Sequence, residues 1–167
     1  TALKGLVETH GIESLAICLL HGYSNSGHEQ ALREMAAAAY PELAISISSD
    51  VSAEWREYER FTTTCINAFT QPMFDQYLGR LEAGLGELGF AGRLFVMSSS
   101  GGTLTPDTAR RLPVRVIESG PAAGAQVSAF HGRALEQPEL LSFDMGGTTA
   151  KGALIRNGAA IKVYTQE

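Results

Sequence analysis

The chain has 167 residues, 44% of them hydrophobic and 19% charged. That length supports one real core and is short for two ordinary domains, and the composition excludes a disordered or highly charged tail. Lys and Arg number 13 against 18 Asp and Glu, a formal charge of -5, so there is no broad basic face to hold a phosphate backbone and nucleic acid is not an expected partner.

Cys18 and Cys65 lie inside apolar runs without metal-type spacing, and read as reduced core thiols of a cytoplasmic protein. No apolar stretch approaches the ~20 residues of a membrane span, and no signal-peptide pattern opens the chain. The start at Thr1-Ala2-Leu3 and the stop at Thr165-Gln166-Glu167, directly after a strand-like run, predict a piece of a longer protein.

Apolar periodicity predicts an α/β order. Residues 13–20 form a short apolar run, as in a buried strand. Ser26 and Glu29 have capping-box spacing, and Ala31, Leu32, Met35, Ala36 and Ala39 recur at helical intervals until Pro41. Residues 44–48 alternate as a strand. From Ala53 to Leu88 the period is helical, with Pro72 placed to open a second helix whose stripe is Phe74, Tyr77, Leu78, Leu81, Leu85 and Leu88.

Residues 94–97 read as a buried strand entering the polar loop Ser98-Ser99-Ser100-Gly101-Gly102. Thr105-Pro106 caps a short helix, residues 114–117 form a strand, and Gly120-Pro121 opens a helix to about Leu135. Three antiparallel strands follow: 140–143, 152–155 and, after the Asn157-Gly158 hairpin signal, 161–164. The change from alternating α/β to a meander predicts a domain boundary near residue 140.

The run from Gly84 to Gly89 matches G-x-G-x-x-G but ends a helix and precedes a strand, the reverse of a dinucleotide fingerprint. It reads as a helix stop. No P-loop, H-E-x-x-H or C-x-x-C pattern occurs, and His10, His21, His28 and His131 are scattered. The loop from His21 to Gly27 follows a strand, yet its second glycine falls one residue late for a G-x-S-x-G elbow at Ser24. It reads as a polar loop with His21 a possible lining residue, since ligands bind at strand ends in α/β sheets.

Phe143-Asp144-Met145-Gly146-Gly147-Thr148-Thr149 carries the chemistry. An apolar strand delivers Asp144 to its end, two glycines let the backbone approach a ligand, and two hydroxyls follow. Backbone N–H groups and Thr hydroxyls can hold a phosphate, and the carboxylate can hold a hydrated Mg²⁺ or position a water. The competing reading is an ordinary turn with Asp and Gly present for conformational reasons.

The run from Asp144 to Thr148 resembles the second phosphate motif of the actin-like ATPases. The blocks REYERFTTTCINAF (56–69), MSSSGG (97–102), RRLPVRVIESGPAAGA (110–125) and LLSFDMGGTTAKGALI (140–155) resemble, in this order, the hydantoinase/oxoprolinase family, which includes the N-methylhydantoinase A subunit, 5-oxoprolinase and the acetone and acetophenone carboxylases. The resemblance implies an actin-like, ribonuclease H-like α/β fold: a mixed sheet with flanking helices, ending in an antiparallel hairpin. Residues 1–139 would close a first domain and 140–167 open a second.

It implies ATP and Mg²⁺, with phosphoryl transfer activating a cyclic amide for hydrolysis. Asp144 would hold the metal or its water. Gly146, Gly147, Thr148 and Thr149 would cradle phosphate, and Ser100, Gly101 and Gly102 would form a second wall of the cleft. It also implies a B-type partner subunit or fused domain, and a piece of this length would be inactive alone. The alternatives are a ketone carboxylase subunit and a non-catalytic docking module. Thr149-Ala150-Lys151 departs from the Ser/Thr-Thr-Asp run of many relatives; Lys151 reads as a solvated strand residue, with phosphate contact as the alternative.

Overall fold

A computed structural model describes residues 2–161. They form two compact units, the first comprising the chain up to Leu94 with Pro106–Val114, the second Phe95–Thr105 with the chain from Arg115 onward.

The first unit holds α1 (Ala2–Glu8), β1 (Ser14–Ile17), α2 (Gly27–Ala39), β2 (Ala44–Ile47), α3 (Ser48–Val51), α4 (Glu57–Glu87) and, from the second stretch, α5 (Pro106–Arg111). β1 and β2 pair in parallel, Ser14 opposite Ala44 and Ile17 opposite Ile47, with α2 as the crossover that a parallel pair requires. Ile17, Ala36, Ile47, Val51, Ala68 and Leu78 are buried around this pair.

A polar web lies within that core. Glu29, Ser48, Arg60, Thr64 and Asn67 are fully buried. The Glu29 carboxylate accepts hydrogen bonds from the Leu19 amide (2.8 Å), the Ser48 hydroxyl (2.6 Å) and the Ser49 amide (2.8 Å). Arg60 donates to Ser48 Oγ (3.1 Å) and to the carbonyls of Glu54 (2.8 Å) and Leu19 (2.9 Å). Asn67 donates to Ser46 Oγ and the Arg111 carbonyl and accepts from the Val114 amide. One residue of α4 thus ties β2 to the end of α5.

This web corrects the capping-box expectation. Ser26 is helical at φ -80° and its side chain makes no cap; Asn25 Oδ1 accepts from the Gly27 amide instead (3.0 Å). Glu29 is drawn inward because the loop leaving β1 and the start of α3 present three donors to it. A second correction concerns Pro72, which lies inside one continuous α4. Proline removes one helical bond, but α4 is packed on both sides of it, through Asn67 and Ala68 before and Leu78 after. Of the apolar stripe, Leu78 is buried while Tyr77 and Leu88 are exposed.

α4 does end on the glycine stop. Gly89 is left-handed at φ +76°, and the amides of Gly89 and Phe90 donate to the carbonyls of Gly86 and Leu85, the Schellman pattern. Cys65 is exposed rather than a core thiol. Burial, and next the neighbouring Cys65, push the half-buried Cys18 thiol up to about 11.

The second unit holds β3 (Val96–Met97), β4 (Thr103–Leu104), α6 (Ser119–Ala134), β5 (Leu140–Met145), β6 (Ala150–Arg156) and β7 (Ala159–Ala160). β3 and β4 pair antiparallel, as do β5 with β6 and β6 with β7. Among the described residues the strands therefore form three small sheets rather than one mixed sheet. The strand expected at 94–97 shortens to two residues. The strand expected at 114–117 is replaced by a 3-10 turn over Pro113–Arg115, where proline supplies no ladder donor. The third expected strand, 161–164, falls almost wholly outside the described residues.

Asn157 (φ 51°) and Gly158 (φ 71°) are both left-handed, the type I′ turn that matches strand twist. That turn joins β6 to β7. α6 packs on β5 and β6 through Ala125, Ala129 and Gly132, with Ile155 fully buried. A Cβ on Gly132 would sit 2.5 Å from Leu140 Cδ1, so the helix can lie this close only with glycine there.

The Glu29 web yields a pH-dependent prediction. Burial opposes its charge, but the bonds from Ser48, Leu19 and Ser49 outweigh that and hold the carboxyl below its usual value. Stability from a depressed carboxyl is fully present above its unfolded value, about 4.3, and is lost as pH falls through the folded one. Glu29→Gln is expected to cost about 3 kcal/mol at about pH 7 in urea unfolding, with the gap from wild type narrowing by about pH 3. An equal gap at both pH values would refute a charged Glu29.

Candidate functional site

The site expected around Asp144 is the hairpin joining β5 to β6. Cross-strand register places Asp144 opposite Lys151 and Met145 opposite Ala150, so the turn comprises Gly146, Gly147, Thr148 and Thr149. The Gly146 amide donates to the Thr149 carbonyl (2.9 Å) and closes it. The two threonine hydroxyls lie 3.4 Å apart. Asp144 and the four turn residues are exposed.

The glycines of this turn are not explained by the fold. Neither Gly146 nor Gly147 has a left-handed φ. A Cβ on Gly147 would meet nothing within 4 Å, and one on Gly146 only the Thr149 carbonyl at 3.7 Å, an ordinary contact. Among the described residues the amides of Gly147 and Thr148 have no acceptor. The turn thus offers free donors on backbone that nothing among the described residues crowds.

The second expected wall has a different character. In the loop from Ser98 to Gly102, the Ser98 amide donates to the Gly102 carbonyl (2.7 Å) and the Gly101 amide to the Ser98 carbonyl (2.9 Å). The Ser99 amide donates to the Arg115 carbonyl (2.8 Å), and the Ser100 amide to Ser98 Oγ (3.3 Å). Gly101 is left-handed at φ +84°, and a Cβ there would lie 2.6 Å from Gln126 Nε2. Its own backbone geometry demands glycine, and most of the loop amides are already satisfied.

Ser99, Ser100 and Gly101 nevertheless line a cleft of about 490 Å³ with Glu118, Gln126 and Ala153. Gly102 lines a neighbouring hollow beside Thr103 and Arg115. Neither lining includes residues 144–149, so the structure gives each expected wall its own surface. Lys151 is not simply solvated: its ammonium pairs with the Glu118 carboxylate. Glu118 precedes α6 in left-handed conformation, φ 68°. Sequence periodicity carried no signal for this pair, because the two residues lie 33 positions apart.

Among the described residues no three His, Cys, Asp or Glu side chains gather as a metal cluster. A single exposed carboxylate beside free amides fits a magnesium ion held mainly by phosphate oxygens and water, the usual mode for that ion. His21 belongs to the other unit; its ring meets Tyr23 edge-on and its amide donates to Glu57 Oε1 at 3.4 Å. No helix among the described residues is long and apolar enough to cross a membrane.

Comparison with known proteins agrees with the motif blocks. The hydantoinase/oxoprolinase family profile matches residues 60–167. An uncharacterized protein of Methanocaldococcus jannaschii is 37% identical over 156 residues, covering 93% of this chain and 23% of its own length. The caprolactamase subunit alpha of Pseudomonas jessenii is 30% identical over 147 residues, covering 88% and 21%. A nucleotide-free structure of acetone carboxylase superposes with a TM-score of 0.80 at 26% identity, over 95% of this chain and 22% of that one. The chain thus spans between a fifth and a quarter of the length of these relatives. It belongs to the hydantoinase/oxoprolinase family.

Proposed function

We propose that this chain supplies a phosphate-holding hairpin to an ATP-dependent enzyme that opens a cyclic amide by hydrolysis. The observation that carries the proposal is the glycine pair of the turn. Among the described residues Gly146 and Gly147 answer no conformational or packing demand, and the amides of Gly147 and Thr148 have no acceptor. Bare backbone with free N–H groups is what close approach of phosphate oxygens requires. Relatives named caprolactamase and 5-oxoprolinase support the cyclic amide.

In this reading bound Mg-ATP would supply a phosphoryl group to the amide oxygen, with ADP as the leaving group. The amides of Gly147 and Thr148 and the threonine hydroxyls donate to phosphate oxygens, fixed before the reaction and therefore effective as charge shifts. Asp144 would help hold the magnesium through its hydration shell, or orient the attacking water. Ser100 and Gly101, in the cleft beside Glu118, and Gly102, in the adjoining hollow, would present a hydroxyl and backbone as the second wall. Residues 1–139 and 140–167 would belong to successive domains of an actin-like fold, and a partner subunit is in keeping with relatives named as alpha and beta subunits.

A second reading, ketone carboxylation with ATP, is favoured by the acetone carboxylase likeness. Both use the hairpin alike. Incubating the full gene product with Mg-ATP and either a lactam or a ketone with bicarbonate separates them by which substrate drives phosphate release.

Two variants test the hairpin itself. Gly147→Ala is expected to leave stability within about 0.5 kcal/mol, while the melting shift induced by Mg-ATP disappears. Retained stabilisation by Mg-ATP would remove the turn from the site. Asp144→Asn is expected to lower single-turnover rate by about 100-fold while changing nucleotide affinity less than about fivefold. An equal loss in both would make Asp144 a binding residue only.

A further inference from the structure

We propose that Lys151 is a phosphate ligand of this hairpin and that Glu118 occupies it until the nucleotide arrives. The inference rests on the phosphate reading of the turn and adds a residue and a competition to it.

Register fixes where Lys151 stands. It lies directly opposite Asp144 on the paired strand, and residues so paired project from the same face. That face is the one turned to α6: Ser142 accepts a hydrogen bond from Ser128 of the helix, and Ile155, opposite Leu140, is fully buried. Along β6 the alternation puts Lys151 and Ala153 on the same side as Ile155, and Ala153 lines the cleft that also holds Ser99, Ser100 and Glu118. The ammonium is therefore carried to the rim of a cleft with hydroxyls on its wall, one strand across from Asp144.

Its present partner is weakly committed. The Lys151 and Glu118 side chains retain 38% and 60% of their exposure, and ion pairs this open contribute little to stability. Glu118 makes no cap to α6 although it stands at the N-cap position, so releasing Lys151 frees its carboxylate to swing into solvent without breaking a cap. A phosphate with two or more charges at the hairpin offers the ammonium a stronger partner than one exposed carboxylate. The exchange would cost little and would neutralise charge beside Asp144.

A tether and a competitor predict different signs. In the full gene product, calorimetric titration with Mg-ATP and with inorganic pyrophosphate is expected to give a Kd about tenfold weaker for Lys151→Met. Glu118→Gln should bind about two- to fivefold tighter than wild type, because the ammonium no longer has to leave a carboxylate. Lys151→Arg should stay close to wild type, which separates lost charge from damaged folding. If wild type binds but both Lys151→Met and Glu118→Gln weaken binding or leave it unchanged, the pair is a structural tether and the proposal falls. If wild type binds neither probe, the phosphate reading fails first and takes this inference with it.

Discussion

Two fully buried charges govern the first unit. Glu29 and Arg60 do not bond each other directly; both bond Ser48, and they take the two backbone polar groups of Leu19, Glu29 its amide and Arg60 its carbonyl. Because a buried charge without partners is far more costly than one fully hydrogen-bonded, the loop leaving β1 and the start of α3 have little freedom once α2 and α4 are in place. The parallel pair is thus closed at its carboxyl ends by side chains from two helices. Gly22 belongs to the same constraint: a Cβ there would lie 2.7 Å from Glu29 Oε1.

The second unit depends on contact between a helix and a strand pair rather than on buried charge. Gly132 lets α6 approach Leu140, and the Asn157-Gly158 turn is tied back by the Gly158 amide to the Pro138 carbonyl (3.0 Å). With that end of β6 anchored, alternation dictates that Asp144 and Lys151 share one face at the other end. Leu141, Phe143 and Met145 occupy the opposite face and are exposed. The candidate site is therefore positioned by packing some distance from the residues that would do chemistry, while the turn itself stays open.

Much of this was legible in the chain. The crossover β1–α2–β2 followed from apolar runs separated by a helical period, the glycine stop at Gly89 from its place after a helix, and the I′ turn from Asn-Gly between strand-like runs. The errors have one physical source: local rules gave way to tertiary partners. Glu29 had capping-box spacing but found three donors, one from the loop after β1 and two from α3. Pro72 looked like a helix start, yet packing on both sides carried α4 through it. Residues 114–117 looked like a strand, but the Val114 amide is taken by Asn67 and the Arg115 carbonyl by Ser99. The Asp144 motif was visible, whereas its Lys151–Glu118 neighbour depends on register and on a helix start 33 residues away.

The same structural contrast bears on function. Gly101 is glycine because its backbone is left-handed, and Gly132 because a helix must come close; Gly146 and Gly147 have no such internal reason. We propose that their reason is a phosphate. Amide hydrogen exchange of the full gene product, with and without Mg-ATP, addresses this directly. The account predicts that Mg-ATP slows exchange at Gly147 and Thr148 and leaves the Asn157-Gly158 turn unchanged. Bound Mg-ATP with unaltered exchange at Gly147 and Thr148 would contradict it.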